Sequence, residues 1–157
     1  MTDAKIIHPA QTYAIPELLS QLSERDRDEL FELAGNTAAV SELLIGMILS
    51  SVWSFMAIEE SGVVICMGGV TGGKGAVTGG GQAWMIASEA GLERHRKQFL
   101  RVSRNEIEAL LTRWPRLRAF VDERWTKSLR WLSWLGFTDK GGGEYCGRRF
   151  RVMEIGA

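Results

Sequence analysis

The chain of 157 residues has little to offer metal or redox chemistry. It holds 2 cysteines and 2 histidines. His8 and His95 stand far from each other and from Cys66 and Cys146, so no zinc- or iron-ligand spacing exists and no metal site is expected. The cysteines could pair, but with no secretory leader ahead of them thiols in a reducing cytoplasm are the expectation. Net charge is +0, so bulk charge calls for neither a nucleic acid nor an anionic membrane. A long apolar run is missing too. Leu43 to Ile58 is free of charge, but such a stretch falls short of the roughly 20 residues a spanning helix needs. Its pattern also changes at Ser50-Ser51, from helical spacing to Val52-Trp53-Ser54-Phe55-Met56-Ala57-Ile58, which predicts a helix followed by a strand.

What remains is an ordinary globular composition, 45% apolar and 24% charged, of a length expected to form a single domain over 1–157. Charge is segregated along it. The stretch from Glu17 to Glu32 is acidic and the stretch from Glu93 to Arg118 basic. The basic block reads as a solvated helix face or as a surface for phosphate or an acidic partner.

The most informative stretch is Gln82 to Phe137. Ala83-Trp84-Met85-Ile86-Ala87 is a compact apolar strand, Leu92 to Trp114 a basic amphipathic helix stopped by Pro115, and Leu117 to Val121 a second strand. Thr126 to Leu135 is a short helix ending at Gly136-Phe137. Strand–helix–strand of this length is a crossover that makes its strands parallel. Ahead of it lie a strand at Lys5 to His8 and a helix carrying Ile15, Leu18, Leu19 and Leu22 at helical spacing, with Pro16 at its start. A capping box at Ser23 and Asp26 restarts the helix through Asp28 to Phe31, up to Gly35-Asn36. Thr37 then caps a helix to Ser50. Glu59 to Gly62 is a turn into the strand Val63 to Met67. Asp139 to Gly143 reads as a turn before a last strand, Arg149 to Ile155.

Gly68 to Gly81 is rich in glycine. Gly68-Gly69-Val70-Thr71-Gly72-Gly73-Lys74 fits seven positions of a phosphate-binding P-loop, but Gly75 stands where Ser or Thr should hold magnesium. The glycines that follow cannot open the helix such a loop requires. The nucleotide reading is rejected in favour of a hairpin connection.

The element order, with Leu135-Gly136-Phe137 closing the last helix, resembles the GCN5-related N-acetyltransferase (GNAT) superfamily. The resemblance implies an α+β fold with one mixed sheet, order β-α-α-β-β-β-α-β-α-β-β, in which strands four and five splay apart to admit acetyl-CoA. By position it places Met85, Ile86 and Ala87 against the pantetheine arm. The phosphate loop falls within Glu89 to Lys97, where Gly91, Arg94, Arg96 and Lys97 are the candidates. The family's glycine-rich loop is reduced here to Gly91. The tyrosine that protonates the leaving thiolate is replaced by Leu132, and a common asparagine by Trp125. Glu89, Asp122 and Glu123 are the candidate general bases, Glu89 and Glu123 foremost, with ordinary surface charge as the competing role. His95 is a candidate base or phosphate contact, but one histidine among basic neighbours on a helix is expected to be simply exposed.

Trp84, Ser88-Glu89, Arg94 to Arg104 and Trp125 to Phe137 are more narrowly similar to the acetyltransferase-like internal virion proteins of short-tailed phages. That likeness implies a phage accessory or virion protein with a degenerate acyl-CoA site, located in the host cytoplasm or the virion. The alternative is an active acyl-CoA N-acyltransferase acting on an amine. A third reading is an antagonist of a host protein. Partner surfaces would be the basic helix 92–114 or the tryptophans Trp125 and Trp134, since Trp125, Trp131 and Trp134 cannot all be buried on one helix stripe.

Overall fold

The computed structural model describes residues 3–22, 27, 30, 37–72, 80–145 and 147–156. The predicted capping box at Ser23 and Asp26, the helix stop at Gly35-Asn36, the centre of the glycine-rich connection and Cys146 lie outside them. Seven strands form one mixed sheet in the order β1-β2-β3-β4-β5-β7-β6. They are β1 (Lys5–Ile7), β2 (Ser51–Ile58), β3 (Val64–Thr71), β4 (Gly80–Ala87), β5 (Arg116–Asp122), β6 (Thr138–Tyr145) and β7 (Arg148–Gly156). The helices are α1 (Ile15–Gln21), α2 (Thr37–Ser50), α3 (Glu89–Arg94), α4 (Arg96–Leu110) and α5 (Thr126–Leu135). As the crossover predicts, β4 and β5 run parallel. Their ladder covers Gly80 with Arg116, Gly81 with Leu117 and Gln82 with Arg118, and ends there.

The chain divides into two compact units, Met1–Thr71 with Met85–Leu100, and Gly72–Trp84 with Arg101–Ala157. In the first, β1, β2 and β3 form an antiparallel ladder. Met56 and Met67 face each other in register and are fully buried, as are Ile15 and Leu18 of α1 and Leu44 of α2. Ala4, Ala57, Ile65 and Cys66 make a second buried cluster, on which Ile6, Phe55, Val63 and Ala87 pack. Cys66 is a free thiol that burial pushes up to about 12. The switch from α2 to β2 needs no loop. The hydroxyls of Ser50 and Ser51 both donate to the carbonyl of Met47, at 3.3 and 2.6 Å, satisfying a helix-end acceptor while the chain turns into the strand.

The second unit pairs β5 with β7 and β7 with β6, all antiparallel. Leu117, Met153, Leu132 and Phe137 are buried there. Asp139 to Gly143, expected as a turn, lies inside β6. Arg151 of β7 explains this: its guanidinium donates twice to the Asp139 carboxylate, at 2.8 Å each. A Cβ on Gly142 would stand 2.9 Å from the Phe150 carbonyl oxygen and 3.0 Å from that guanidinium, so a residue without a side chain suits this close pairing with β7. The glycines signal a turn locally, and cross-strand pairing overrides them.

The Leu-Gly-Phe ending also has a physical cause. Gly136 is left-handed at φ 107, and the Phe137 amide reaches back to the Leu132 carbonyl at 3.0 Å, a Schellman closure that leads Phe137 into the core. Gly136→Ala forces a side chain into that conformation, 3.2 Å from Ile155. It is expected to lower stability by about 1–2 kcal/mol, read as a lower urea midpoint with an unchanged slope.

Candidate functional site

The predicted phosphate segment folds differently from the expectation of one helix starting at Leu92. Helix begins at Glu89, breaks at His95 and resumes at Arg96. Ser88 sets the start. It leaves β4 with its amide bonded to the Ile65 carbonyl at 2.8 Å, and its hydroxyl accepts the Gly91 amide at 3.1 Å. This is an N-cap, and Glu89 in the first turn adds the charge a helix start favours. The Gly91 amide is thus already engaged. Its missing side chain has a packing cause as well, because a Cβ there would stand 2.8 Å from both Cβ and Cγ2 of Ile65. Gly91 lets α3 lie on β3; it does not open a backbone cradle for an anion.

The joint between α3 and α4 is held by a residue that sequence reasoning assigned only to a turn. Glu59 accepts from Arg94 Nε at 2.8 Å and from His95 Nε2 at 3.2 Å, and Arg94 Nη2 stands 2.7 Å away. A carboxylate only accepts, so His95 carries its proton on Nε2. His95, expected to be exposed, is buried. Glu59 is itself placed by its hairpin: its amide bonds the Val63 carbonyl at 2.8 Å, and left-handed Gly62 returns its amide to Glu59. Nothing in the local sequence marks a contact reaching 35 residues along the chain. Arg94 holds the Glu59 carboxyl below the usual glutamate range, with His95 adding to the effect against burial.

One turn further, Gln98 clamps the first strand. Its amide exchanges two 2.7 Å hydrogen bonds with the backbone of Ala4. Arg96 and Lys97, beside it in the first turn of α4, are exposed. Met85, Ile86 and Ala87 are half-buried at the end of β4, with Ala87 packed on the Ala4–Ala57–Ile65–Cys66 cluster. Glu89, Gly91, Arg94, Arg96 and Lys97 therefore share one short segment of the first unit.

Glu123 belongs to the other unit, just beyond β5. Its amide donates to the Arg149 carbonyl at 3.0 Å, and its carboxylate lies 3.7 Å from Arg149 Nε. Asp122 is buried and taken up by Arg124, at 2.8 Å, and Arg148, at 3.6 Å, which makes it a structural anion. Leu132 is buried, and Trp125 precedes α5. Trp131 donates to Ser103 at 3.3 Å, while Trp134 stays 44% exposed under the Arg104 guanidinium, 3.9 Å from its ring centre. Among the described residues no three His, Cys, Asp or Glu side chains gather as a metal site would require, and no helix is long and apolar enough to cross a membrane.

No protein-family model and no curated protein matches the chain. Solved structures do. A GNAT-family acetyltransferase from Bacillus anthracis aligns with TM-score 0.71 at 10% identity, over 99% of this chain and 97% of that one. The ribosomal-protein-S5-alanine acetyltransferase of Vibrio fischeri aligns at 0.70 and 12% identity, over 99% and 94%. The aminoglycoside acetyltransferase AAC(6')-Ib, solved with coenzyme A, aligns at 0.70 and 15% identity, over 98% and 95%. The chain has the GNAT acetyltransferase fold.

Substitutions at Gly91 and Glu59 test this reading of the α3 joint, with Gly46 on α2 as a control. Gly91→Ala is expected to cost about 1–3 kcal/mol by overpacking. Gly46→Ala, in open space on α2, is expected to raise stability by about 0.5–1 kcal/mol. Both are read from urea midpoints. Glu59→Gln is expected to cost about 1 kcal/mol at pH 7, a modest figure because Arg94 is part-exposed. The Glu59 carboxyl is depressed in the fold, so its contribution is complete above the ordinary value of 4.5 and is lost as pH falls through the lower folded value. The gap between the two proteins should therefore be constant near neutrality and close in acid.

Proposed function

We propose that the chain is an acyl-CoA-dependent N-acyltransferase acting on an amine, in which side-chain cations take the place of the missing glycine loop. The observation that carries this reading is the start of α4. Arg96 and Lys97 are exposed in the first turn of a 15-residue helix that follows strand four, where helix dipole and cationic side chains favour the same anion. The amide cradle does not fit: the Gly91 amide is capped by Ser88 and its Cβ space is filled by Ile65. The cations do fit. Met85, Ile86 and Ala87 would flank the pantetheine arm of acetyl-CoA, and Arg96 and Lys97 its phosphates, with Arg94 retained by Glu59. When bound, acyl-CoA supplies a thioester-activated acyl group. Glu89 is one candidate to relay a proton from the attacking amine, and Glu123 the alternative. Leu132 has no proton to give a leaving thiolate.

One set of observations favours a second reading, a GNAT fold kept as a phage virion or accessory protein without turnover. Ser88, Gly91, Arg94 and His95 are all committed to internal contacts. On that reading the basic face of α4 or the exposed Trp134 under Arg104 would meet a protein partner.

A thermal-unfolding titration with acetyl-CoA and free CoA separates the two. Ligand at 100 times its dissociation constant should stabilise the fold by about 2.7 kcal/mol, and the double substitution Arg96→Ala with Lys97→Ala should weaken that binding by about tenfold or more. No shift at millimolar ligand ends the acyltransferase reading. Recovery of the chain from purified particles by mass spectrometry would then support the second.

A further inference from the structure

We propose that His8, Trp53 and Phe55 form a binding cup for an organic ammonium group; on the acyltransferase reading, on which this assignment of role rests, it holds the acceptor amine. The three rings stand together in the first unit. Their centres are 5.4 Å apart for His8 and Trp53, 5.5 Å for Trp53 and Phe55, and 6.5 Å for His8 and Phe55, all tilted. Trp53 and Phe55 are two apart on β2 and share a face, while Ser54 and Met56 are buried on the other. The residue paired with Phe55 on β3 is Gly68, which puts no side chain directly opposite that ring. His8 follows β1 and is exposed.

The polarity of the cup is set by one hydrogen bond. His8 Nδ1 lies 3.0 Å from the Ser54 carbonyl. A carbonyl only accepts, so Nδ1 carries the proton, and Nε2 of the neutral ring is left as an acceptor. Among the described residues Nε2 makes no hydrogen bond. The site therefore offers aromatic faces, negative at their centres, and a single acceptor. That combination suits an ammonium, whose charge can rest against the rings while one N–H is donated to Nε2. An anion would meet the ring faces with the wrong sign, and an alkane would leave Nε2 unmet. The cup also lies near the end of strand four, because Phe55 and Ala87 pack on the same buried cluster.

The chain has only 2 histidines, so their ring signals are readily resolved by NMR. Titration with n-butylammonium chloride, matched in salt by sodium chloride, is expected to move the His8 signals and leave those of His95. n-Butanol, of similar shape and uncharged, is expected to move neither. Trp53→Leu should weaken n-butylammonium binding by about tenfold and Trp53→Phe by much less. Should Trp53→Leu fail to fold by circular dichroism, His8→Phe keeps the ring and removes the acceptor; calorimetry should then show affinity several-fold weaker. Equal response to n-butanol, a still His8, or unchanged affinity in the folded variants overturns the proposal. The CoA titration is independent of all of these. If CoA binds and n-butylammonium does not, the cup falls alone. If n-butylammonium binds and CoA does not, the ammonium site stands and its role as an acceptor subsite is overturned.

Discussion

Glu59 is the constraint on which the rest of the first unit depends. One carboxylate in a β-hairpin accepts from Arg94 and His95 and so fixes where α3 stops and α4 starts. Ser88 and Gly91 fix the other end of α3, by a cap and by close approach to Ile65. Between these two anchors the first part of the segment that the family resemblance assigns to phosphate becomes a short, capped helix. Arg96 and Lys97 come after the second anchor and are exposed, whereas Arg94, itself part-exposed, is held by Glu59.

The same economy of charge recurs in the second unit. Arg118 bonds Glu154 at 2.8 Å, Arg151 takes Asp139, and Arg124 and Arg148 take Asp122. Most of these pairs are exposed and contribute little individually. Asp122 differs because it is buried, and removing one partner of a buried charge costs far more than an exposed pair contributes. The charges on β5, β6 and β7 are therefore organised as register pins. Glu123, which the sequence offers as a base, sits at the edge of that arrangement beside Arg149.

Elements whose signal is local were legible. Thr126 to Leu135 has the predicted bounds, because its end is written in consecutive residues: an apolar stripe, a left-handed glycine and a buried phenylalanine. The break from helix to strand at Ser50-Ser51 was equally visible, since the period of apolar residues changes there. The parallel pairing of β4 and β5 followed from the length of the crossover. Asp139 to Gly143 was misread for the complementary reason. A run of glycines carries no side-chain period, and the ladder with β7, where Arg151 also holds Asp139, makes it a strand.

The candidate site divides along the same line. Residue type and spacing in the sequence determined the order of elements and the cluster of cations after strand four. Set beside the family the chain resembles, they also showed no glycine-rich loop and a leucine where that family often has a tyrosine. Tertiary structure alone decided which of those cations stay available, that Gly91 serves packing, that His95 is buried, and that His8 joins two aromatics of another strand. Each of these depends on atoms brought together from positions tens of residues apart. A chain read in order carries propensity and period, but not the distance between a carboxylate at 59 and a guanidinium at 94.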